Sequence, residues 1–283
     1  MRDSTNRQYN EDWLQYDRPQ PMYDKQLNQL YDHFYISNPV HDHNLEEKFK
    51  EKFINFLDNL TLNNLYGYKK FKYLDITIGC THFIDDLYMR CGTSGIQIFE
   101  NDYKYHYRLN EKIKFTTIEK LSPKKELIIA MPFPYYGDVH PKMTAILDKC
   151  YALKIPVHID GAWITCCKDI TFDFNHPAIT SFCISLSKGG LGGNRIGVRF
   201  SKIRPIGAIS IMNDFNMNIQ SLVALGSLYL DFIGPDFFWK KYNDAYIKVC
   251  ADFNLLPTKA IHLAKTINGS PVGVRPLLRC LVT

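Results

Sequence analysis

The most informative segment of this chain extends from Ser181 to Phe200 and has the sequence SFCISLSKGGLGGNRIGVRF. Its first residues are apolar and prone to form strands, so they predict a β-strand that ends just before Lys188. An amine at the carboxyl end of a strand is partly shielded from water, which disfavours its charged form and makes it a nucleophile. Lys188 is therefore a candidate catalytic lysine. The alternative is an ordinary surface lysine in front of a glycine-rich loop.

The same segment carries groups that suit an anion. Ser185 and Ser187 are two residues apart and share one side of the predicted strand, where both hydroxyls could donate to an anion. Arg195 follows the glycine-rich turn and could bind a phosphate through two parallel hydrogen bonds. The segment is not a Walker loop, because no Gly-Lys-Ser or Gly-Lys-Thr follows the glycines, and it lacks the glycine spacing of a dinucleotide-binding loop.

A second informative segment, Ile155 to Trp163, has the sequence IPVHIDGAW and places an acid at the end of an apolar strand. An ionised carboxylate is costly to bury, so Asp160 at this position needs a cationic partner. His158, two residues earlier, is by default a hydrogen-bonded structural histidine. Asp160 precedes Lys188 by 28 residues, which leaves room for one β run between them.

Together these two segments resemble the fold-type I pyridoxal-phosphate enzymes, the aminotransferase class I/II superfamily. In that family Ser-x-Ser-Lys precedes a glycine-rich turn and an arginine. The resemblance implies that Lys188 forms an internal Schiff base with pyridoxal 5'-phosphate, and that Ser185, Ser187 and Arg195 bind the cofactor phosphate. Arg195 follows Lys188 by seven residues, whereas eight is usual in the family, so a tighter turn is implied here.

The resemblance also assigns residues around the cofactor ring. Asp160 would pair with the protonated pyridine nitrogen and keep the ring an electron sink, while Ala162 would lie beneath the ring. Trp163 stands where the family commonly has a tyrosine, and its indole N–H could reach the cofactor's phenolate oxygen. Phe133, in the segment PFPYYG, takes the place of an asparagine that donates to this oxygen in many members. A phenyl ring cannot donate, so that bond is lost.

Two further turns add candidates. Gly79-Cys80-Thr81 lies between a predicted strand and a predicted helix, where main-chain N–H groups and the Thr81 hydroxyl suit a phosphate, and Cys80 is part of this turn. After the next predicted strand, Tyr103 corresponds to the family's ring that stacks on the cofactor. His106, three residues later, corresponds to a histidine that touches the key aspartate in some members. An exposed loop rich in tyrosine is the alternative for both residues.

Two more candidates come from the same resemblance. The segment NNLYGYKKF, Asn63 to Phe71, resembles the one whose tyrosine reaches the cofactor phosphate of a partner subunit; Tyr68 is the preferred donor and Tyr66 the second choice. Near the end, GVRPLLRCLV from Gly273 predicts a β run. Arg279 within it resembles the arginine that binds the substrate α-carboxylate. The alternatives are an aromatic turn that only packs and an exposed arginine on a strand.

Length and composition restrict the class of protein. The 283 residues allow a full core, and 46% hydrophobic with 22% charged residues is ordinary for a globular chain. The net charge of +5 is mild and spread along the chain, so no nucleic-acid partner is predicted.

No signal peptide and no apolar run of about eighteen residues occur, so no membrane span is predicted. Eight cysteines without a Cys-x-x-Cys pair predict buried thiols in a reducing cytoplasm. His41-Asp42-His43 is interpreted as a solvated turn, so no metal site is predicted.

Short β runs alternate with helices from Tyr73 onward, which predicts an α/β fold. The resemblance implies a three-layer αβα fold with a mainly parallel, seven-stranded sheet and a short C-terminal α/β portion. We predict a loosely ordered arm and helices in residues 1–60, the large cofactor-binding domain in 61–232, and an abbreviated small domain in 233–283.

The predicted function is a pyridoxal-phosphate-dependent aminotransferase that acts on an amino acid or related primary amine, with a keto acid as acceptor. Lys188 would be released by the incoming amine and then transfer a proton as general acid and base. A homodimer is expected, because the short small domain is too small to enclose the cofactor alone. The alternatives are decarboxylation, aldol cleavage or elimination with the same cofactor, or a non-catalytic binding module that keeps the fold.

Overall fold

The computed structural model describes residues 9–16, 19–37, 44–109 and 111–282. The segment His41 to His43 lies outside the described residues. The strands, in chain order, are β1 (Asn64–Tyr66), β2 (Tyr73–Thr77), β3 (Ile96–Gln97), β4 (Glu126–Ala130), β5 (Val157–Gly161), β6 (Thr171–Asp173), β7 (Ile179–Ser185), β8 (Gly197–Ser201), β9 (Leu256–Pro257), β10 (Leu263–Lys265) and β11 (Pro271–Gly273). The helices are α1 (Gln26–Ser37), α2 (Leu45–Asp58), α3 (Gly79–Cys91), α4 (Tyr105–Leu109), α5 (Met143–Ala152), α6 (Ala208–Asp214), α7 (Gln220–Phe232), α8 (Phe237–Asp252) and α9 (Arg275–Leu281).

The central sheet has the order β2-β8-β7-β5-β4-β3 and is mostly parallel. β3, β4, β5 and β7 pair in parallel, while β8 is antiparallel to both β7 and β2. The sheet therefore has six strands in the described residues, whereas seven were predicted. Among the described residues, the sheet continues beyond β3 as a single bridge between Phe99 and Thr116. Residues 111–125 are rich in lysine and contain no apolar run long enough for a buried parallel strand.

Apolar side chains alternate between the two faces of this sheet. On β4, Leu127 and Ile129 join the core cluster that contains residues of α2, α5 and α7, whereas Ile128 joins a separate cluster with α3 on the opposite face. This alternation follows from the two-residue period of a strand. Helices thus cover both faces, which confirms the predicted three-layer α/β fold.

Residues near the two ends of the chain share a third apolar cluster. Leu14 and Met22 pack in it with residues of α8, α9 and the antiparallel sheet β9–β11. Gln15 and Gly273 exchange two main-chain hydrogen bonds of 2.9 and 2.7 Å. The described part of the N-terminal arm is therefore docked on the C-terminal portion, and the expectation of a loosely ordered arm was wrong for it. The domain limits at residues 60 and 232 stay a prediction.

The chain after Gly273 forms a helix where the sequence predicted a β run. α9 contains Pro276 in its first turn, where a missing N–H costs nothing. Leu277 and Leu278 of this helix are buried. A short apolar run fits a buried helix and a buried strand equally well, and packing against α8 decided between them here.

All eight cysteines are free and six of them are buried, as the sequence predicted. Within the described residues, no single helix is long and apolar enough to cross a membrane; α7 and α8 satisfy length and composition only as a pair bent by 68°. In the same parts of the chain, no group of three or more His, Cys, Asp or Glu side chains could hold a metal ion.

Candidate active site

A cavity of about 240 Å³ lies at the carboxyl ends of the parallel strands. This is the edge at which open α/β sheets bind their ligands. Ten of the predicted site residues line the cavity, namely Cys80, Thr81, Tyr103, Asp160, Ala162, Trp163, Ser185, Ser187, Lys188 and Arg195. The other lining residues are Gln20, Pro21, Ala130, Pro132, Pro134, Gly192 and Gly193.

One end of the cavity has the donors of an anion site. Arg195 Nη2 donates to Thr81 Oγ1 at 2.7 Å, and Ser185 Oγ donates to Ser187 Oγ at 2.9 Å. Gly79 begins α3 with a φ of 69°. A Cβ atom there would lie 3.2 Å from both Arg195 Nη2 and Ser185 Oγ, so the glycine keeps the space between these donors open. Hydroxyls, a guanidinium and the N-terminus of a 13-residue helix form a donor set that suits a phosphate group.

Asp160 supplies a buried carboxyl group next to this end. It lies on β5, is 4% exposed, and accepts the Ala162 N–H at 3.0 Å. Burial is the largest influence and raises the pKa of Asp160 above its ordinary value. Hydrogen bonds from Cys80 and Ala162 and the charges of Arg195 and Lys188 oppose this rise in pKa. A buried carboxyl group of this kind gains from one more cationic partner, and a protonated ring nitrogen has that chemistry.

Lys188 is half-buried in the turn directly after β7 and contacts the N-terminal arm. Its Nζ donates to the Pro19 carbonyl at 2.6 Å, and Met22 N–H donates to the Lys188 carbonyl at 2.9 Å. Between them, Gln20 and Pro21 line the cavity. Sequence reasoning missed this contact because the arm shows neither a helical nor a strand period. The one available signal was the presence of Pro19 and Pro21, because a proline favours extended backbone in the residue before it.

Two buried titratable residues beside the cavity were not predicted. His262 is fully buried, its ring lies 4.7 Å from the Trp163 ring, and neither ring nitrogen has a hydrogen-bond partner among the described residues. Burial, aided by the Lys188 charge, lowers the pKa of His262 well below its ordinary value. Asp102, directly before Tyr103, is 2% exposed. A lone histidine in an apolar run and an acid in a polar loop both lack a distinctive sequence signal.

Two histidines near the cavity are structural. Nε2 of His158 lies 2.7 Å from Glu126 Oε2, so the default interpretation of this residue is confirmed. Nδ1 of His106 lies 3.1 Å from the Tyr88 hydroxyl, so its partner is on α3, and the expected contact with Asp160 is not formed. Burial lowers the pKa of His106 to about 4, so it is neutral at physiological pH.

After β4, prolines face the cavity, whereas Phe133 was expected at this position. Phe133 is 2% exposed and packs edge-on against His140, with ring centres 4.9 Å apart. Pro132 and Pro134 line the cavity on either side of it. Proline also lacks a donor, so the conclusion that this position gives no hydrogen bond is unchanged.

The structure places Tyr68 and Arg279 away from the cavity lining. Tyr68 is buried, and its hydroxyl donates to Asp58 Oδ1 at 2.5 Å within the same chain. The Tyr68 hydroxyl is therefore engaged within its own chain and is not available to a partner subunit, whereas the Tyr66 side chain is 55% exposed. Arg279 lies on α9, with its guanidinium 4.5 Å from the centre of the Tyr23 ring. The predicted strand location of Arg279 was wrong, because the surrounding run folded as a helix.

Solved structures with this architecture are known. The chain is similar to the histidinol-phosphate aminotransferase from Clostridium acetobutylicum, with 14% identity, a TM-score of 0.59, and coverage of 88% of this chain and 81% of that one. A pyridoxal-phosphate-bound C–S lyase from Staphylococcus hominis gives 12% identity, a TM-score of 0.61, and coverage of 90% and 74%. The chain has the fold of these enzymes. An N-succinyldiaminopimelate aminotransferase from Mycobacterium tuberculosis shares this aminotransferase fold, with 12% identity, a TM-score of 0.59, and coverage of 88% and 76%.

The predicted fold-type I architecture is thereby confirmed, at sequence identities of 12–14% to these structures. No protein-family model matches it, and no curated protein matches it either. The aminotransferase fold explains why ten predicted residues from four separate segments lie around one cavity.

Proposed function

We propose that this protein is a pyridoxal-phosphate-dependent aminotransferase. The observation that carries the proposal is the meeting of three groups in one cavity: the Lys188 amine, the buried Asp160 carboxyl group, and the donors around Gly79. Each has a matching part in the cofactor, which carries an aldehyde, a basic ring nitrogen and a phosphate. The cavity walls from Tyr103 and Trp163 provide flat surfaces for the ring.

Each residue would have a separate task. Thr81, Ser185 and Arg195 would hold the phosphate, and Asp160 would hold the ring nitrogen in its protonated form. The bound cofactor supplies a conjugated ring that stabilises negative charge on the substrate carbon next to the amine. Lys188 Nζ would hold the cofactor covalently and, once released, would move the proton to and from that carbon.

The proposed substrates are an amino acid or related primary amine and a keto-acid acceptor. The experiment is to load the protein with pyridoxal phosphate, add candidate amines, and then add a keto acid while recording the visible spectrum. An aminotransferase loses its visible band with the amine and regains it with the keto acid. A lyase, which the similarity to the C–S lyase keeps as the second candidate, releases product without needing a keto acid. A spectrum that responds to no amine indicates a binding module.

We also propose a homodimer in a reducing cytoplasm. The cavity lies at the sheet edge, and a second subunit would shield it from water; free, buried cysteines suit a reducing compartment. Since Tyr68 is held by Asp58, the exposed Tyr66 is now the better candidate for a contact across subunits. We expect light scattering to give twice the chain mass over a dilution series. A monomer that retains the cofactor at the lowest concentration would contradict this expectation.

Gly79→Ala is expected to weaken pyridoxal-phosphate binding by about 10- to 100-fold, since displacing one charged hydrogen bond costs about 1.5–3 kcal/mol. The new methyl group would occupy the space beside Arg195 and Ser185. Gly92→Ala is the matched control: its φ is 68°, close to the 69° of Gly79, but a Cβ atom there meets nothing within 4 Å. Both variants lose stability through backbone strain. Fluorescence titration on the folded proteins should show the affinity loss for Gly79→Ala alone; equal losses would remove the phosphate assignment.

A further inference from the structure

The loop after β3 holds a second buried carboxyl group close to Asp160. Asp102 is 2% exposed and Asp160 is 4% exposed. Asp102 Oδ2 accepts the Ala130 N–H at 3.1 Å. Ala130 is the residue of β4 that pairs with Asp160 of β5, so one rung of the sheet separates the two acids.

Asp102 also joins two segments that form the cavity wall. Its Oδ1 accepts the Tyr103 N–H at 2.6 Å, while Oδ2 binds Ala130 at the end of β4. Tyr103 and Ala130 both line the cavity. The carboxylate therefore fixes the position of the loop that carries the Tyr103 ring relative to the sheet.

Two buried acids that neighbour the same strand residue disfavour each other's charged form. Burial raises the pKa of Asp102 to about 7, and the negative charge of Asp160 acts in the same direction. The two main-chain N–H donors oppose this rise but do not cancel it. Other titratable groups interact with one or other acid, namely Tyr88 of α3, Tyr107 of α4, Cys80, Arg195 and Lys188.

We propose that Asp102 is a positioning residue of this site, which anchors Tyr103 to the sheet and whose charge acts on the neighbouring Asp160, so that the two acids titrate as a pair. Neutral Asp102 favours the charged form of Asp160, and charged Asp102 disfavours it. The effect of this pair on a bound cofactor rests on the proposed function, whereas the coupling between the acids is a property of the chain itself.

The test is carbon-13 NMR of cofactor-free protein labelled at the aspartate carboxyl carbons. Asp102→Asn and Asp160→Asn each assign one resonance by its loss. We expect the Asp102 resonance to titrate near pH 7. In Asp102→Asn, the Asp160 midpoint should fall by about one pH unit, the size at which two sites titrate as a pair.

Asp236→Asn is the matched control. Asp236 is also buried, at 4% exposure, and its Oδ2 accepts two main-chain N–H groups, from Thr61 and Leu62. This variant should leave both midpoints unchanged. If the Asp160 midpoint is the same in Asp102→Asn as in the parent, the proposal is wrong. Should Asp102→Asn fail to fold, the reciprocal measurement decides, because Asp160→Asn must then lower the Asp102 midpoint.

A second measurement separates this proposal from the proposed function. In protein loaded with pyridoxal phosphate, the visible spectrum should change with pH in a step that Asp102→Asn moves and Asp236→Asn does not. If Asp102 only stabilised the loop, its replacement would change the affinity for pyridoxal phosphate at every pH and would leave the pH of the spectral step unchanged. If the protein binds no pyridoxal phosphate, the proposed function fails, while the NMR midpoints still decide whether the acids are coupled.

Discussion

Replacing Lys188 with alanine is expected to abolish covalent capture of pyridoxal phosphate and to lower turnover by about 10²- to 10⁴-fold, the usual contribution of a general acid or base. The parent, treated with borohydride after loading, should carry the cofactor on the peptide that contains Lys188. The variant should carry none. Because the phosphate donors and Asp160 are unaffected, Lys188→Ala should still bind the cofactor reversibly.

The matched control for this experiment is Lys202→Ala. Lys202 is also a half-buried lysine, and its Nζ donates to a main-chain carbonyl, that of His176, at 2.9 Å. It does not line the cavity. Its replacement therefore removes a comparable hydrogen bond without touching the site, and labelling should be normal. A label that stays in Lys188→Ala, or is lost in Lys202→Ala, would show that another lysine holds the cofactor.

Asp160→Asn is expected to lower turnover by about 10²- to 10³-fold, as the loss of one preorganised electrostatic contact typically does. An amide has no charge to offer a protonated ring nitrogen, so the ring accepts less negative charge during reaction. The phosphate donors are unchanged, so the cofactor content should fall far less than the turnover. The measurement is turnover per bound cofactor, compared with Asp236→Asn, which should resemble the parent.

A contrary result for Asp160→Asn would be informative. Turnover equal to the parent would show that Asp160 does not contact the ring nitrogen. Loss of cofactor in proportion to turnover would show that Asp160 serves in binding alone. The stability of the cofactor-free variant should not fall, because neutralising an acid whose pKa burial has raised removes an unfavourable buried charge at neutral pH.

Short-range chemistry made much of the site predictable. Lys188 follows one apolar strand and Asp160 lies at the end of another. The carboxyl ends of parallel strands meet at one edge of a sheet, so the sequence predicts that the two residues lie together. The turn at Gly79 was equally clear, because a glycine and a threonine at a helix start suit an anion whatever lies around them.

The sequence therefore determined the fold class and the positions of the lysine, the acid and the turn with anion donors, because strand period and turn chemistry are local properties. Tertiary structure alone decided which side chains turn toward the cavity, so that Pro134 faces it, Phe133 packs away, and Tyr68 is held by Asp58. It also placed Asp102 on Ala130, the sheet neighbour of Asp160, and Pro19 on Lys188. The hydrogen bonds from Ala130 to Asp102 and from Lys188 to Pro19 join segments 28 and 169 residues apart in the chain, and no local period records which distant segments will pack together.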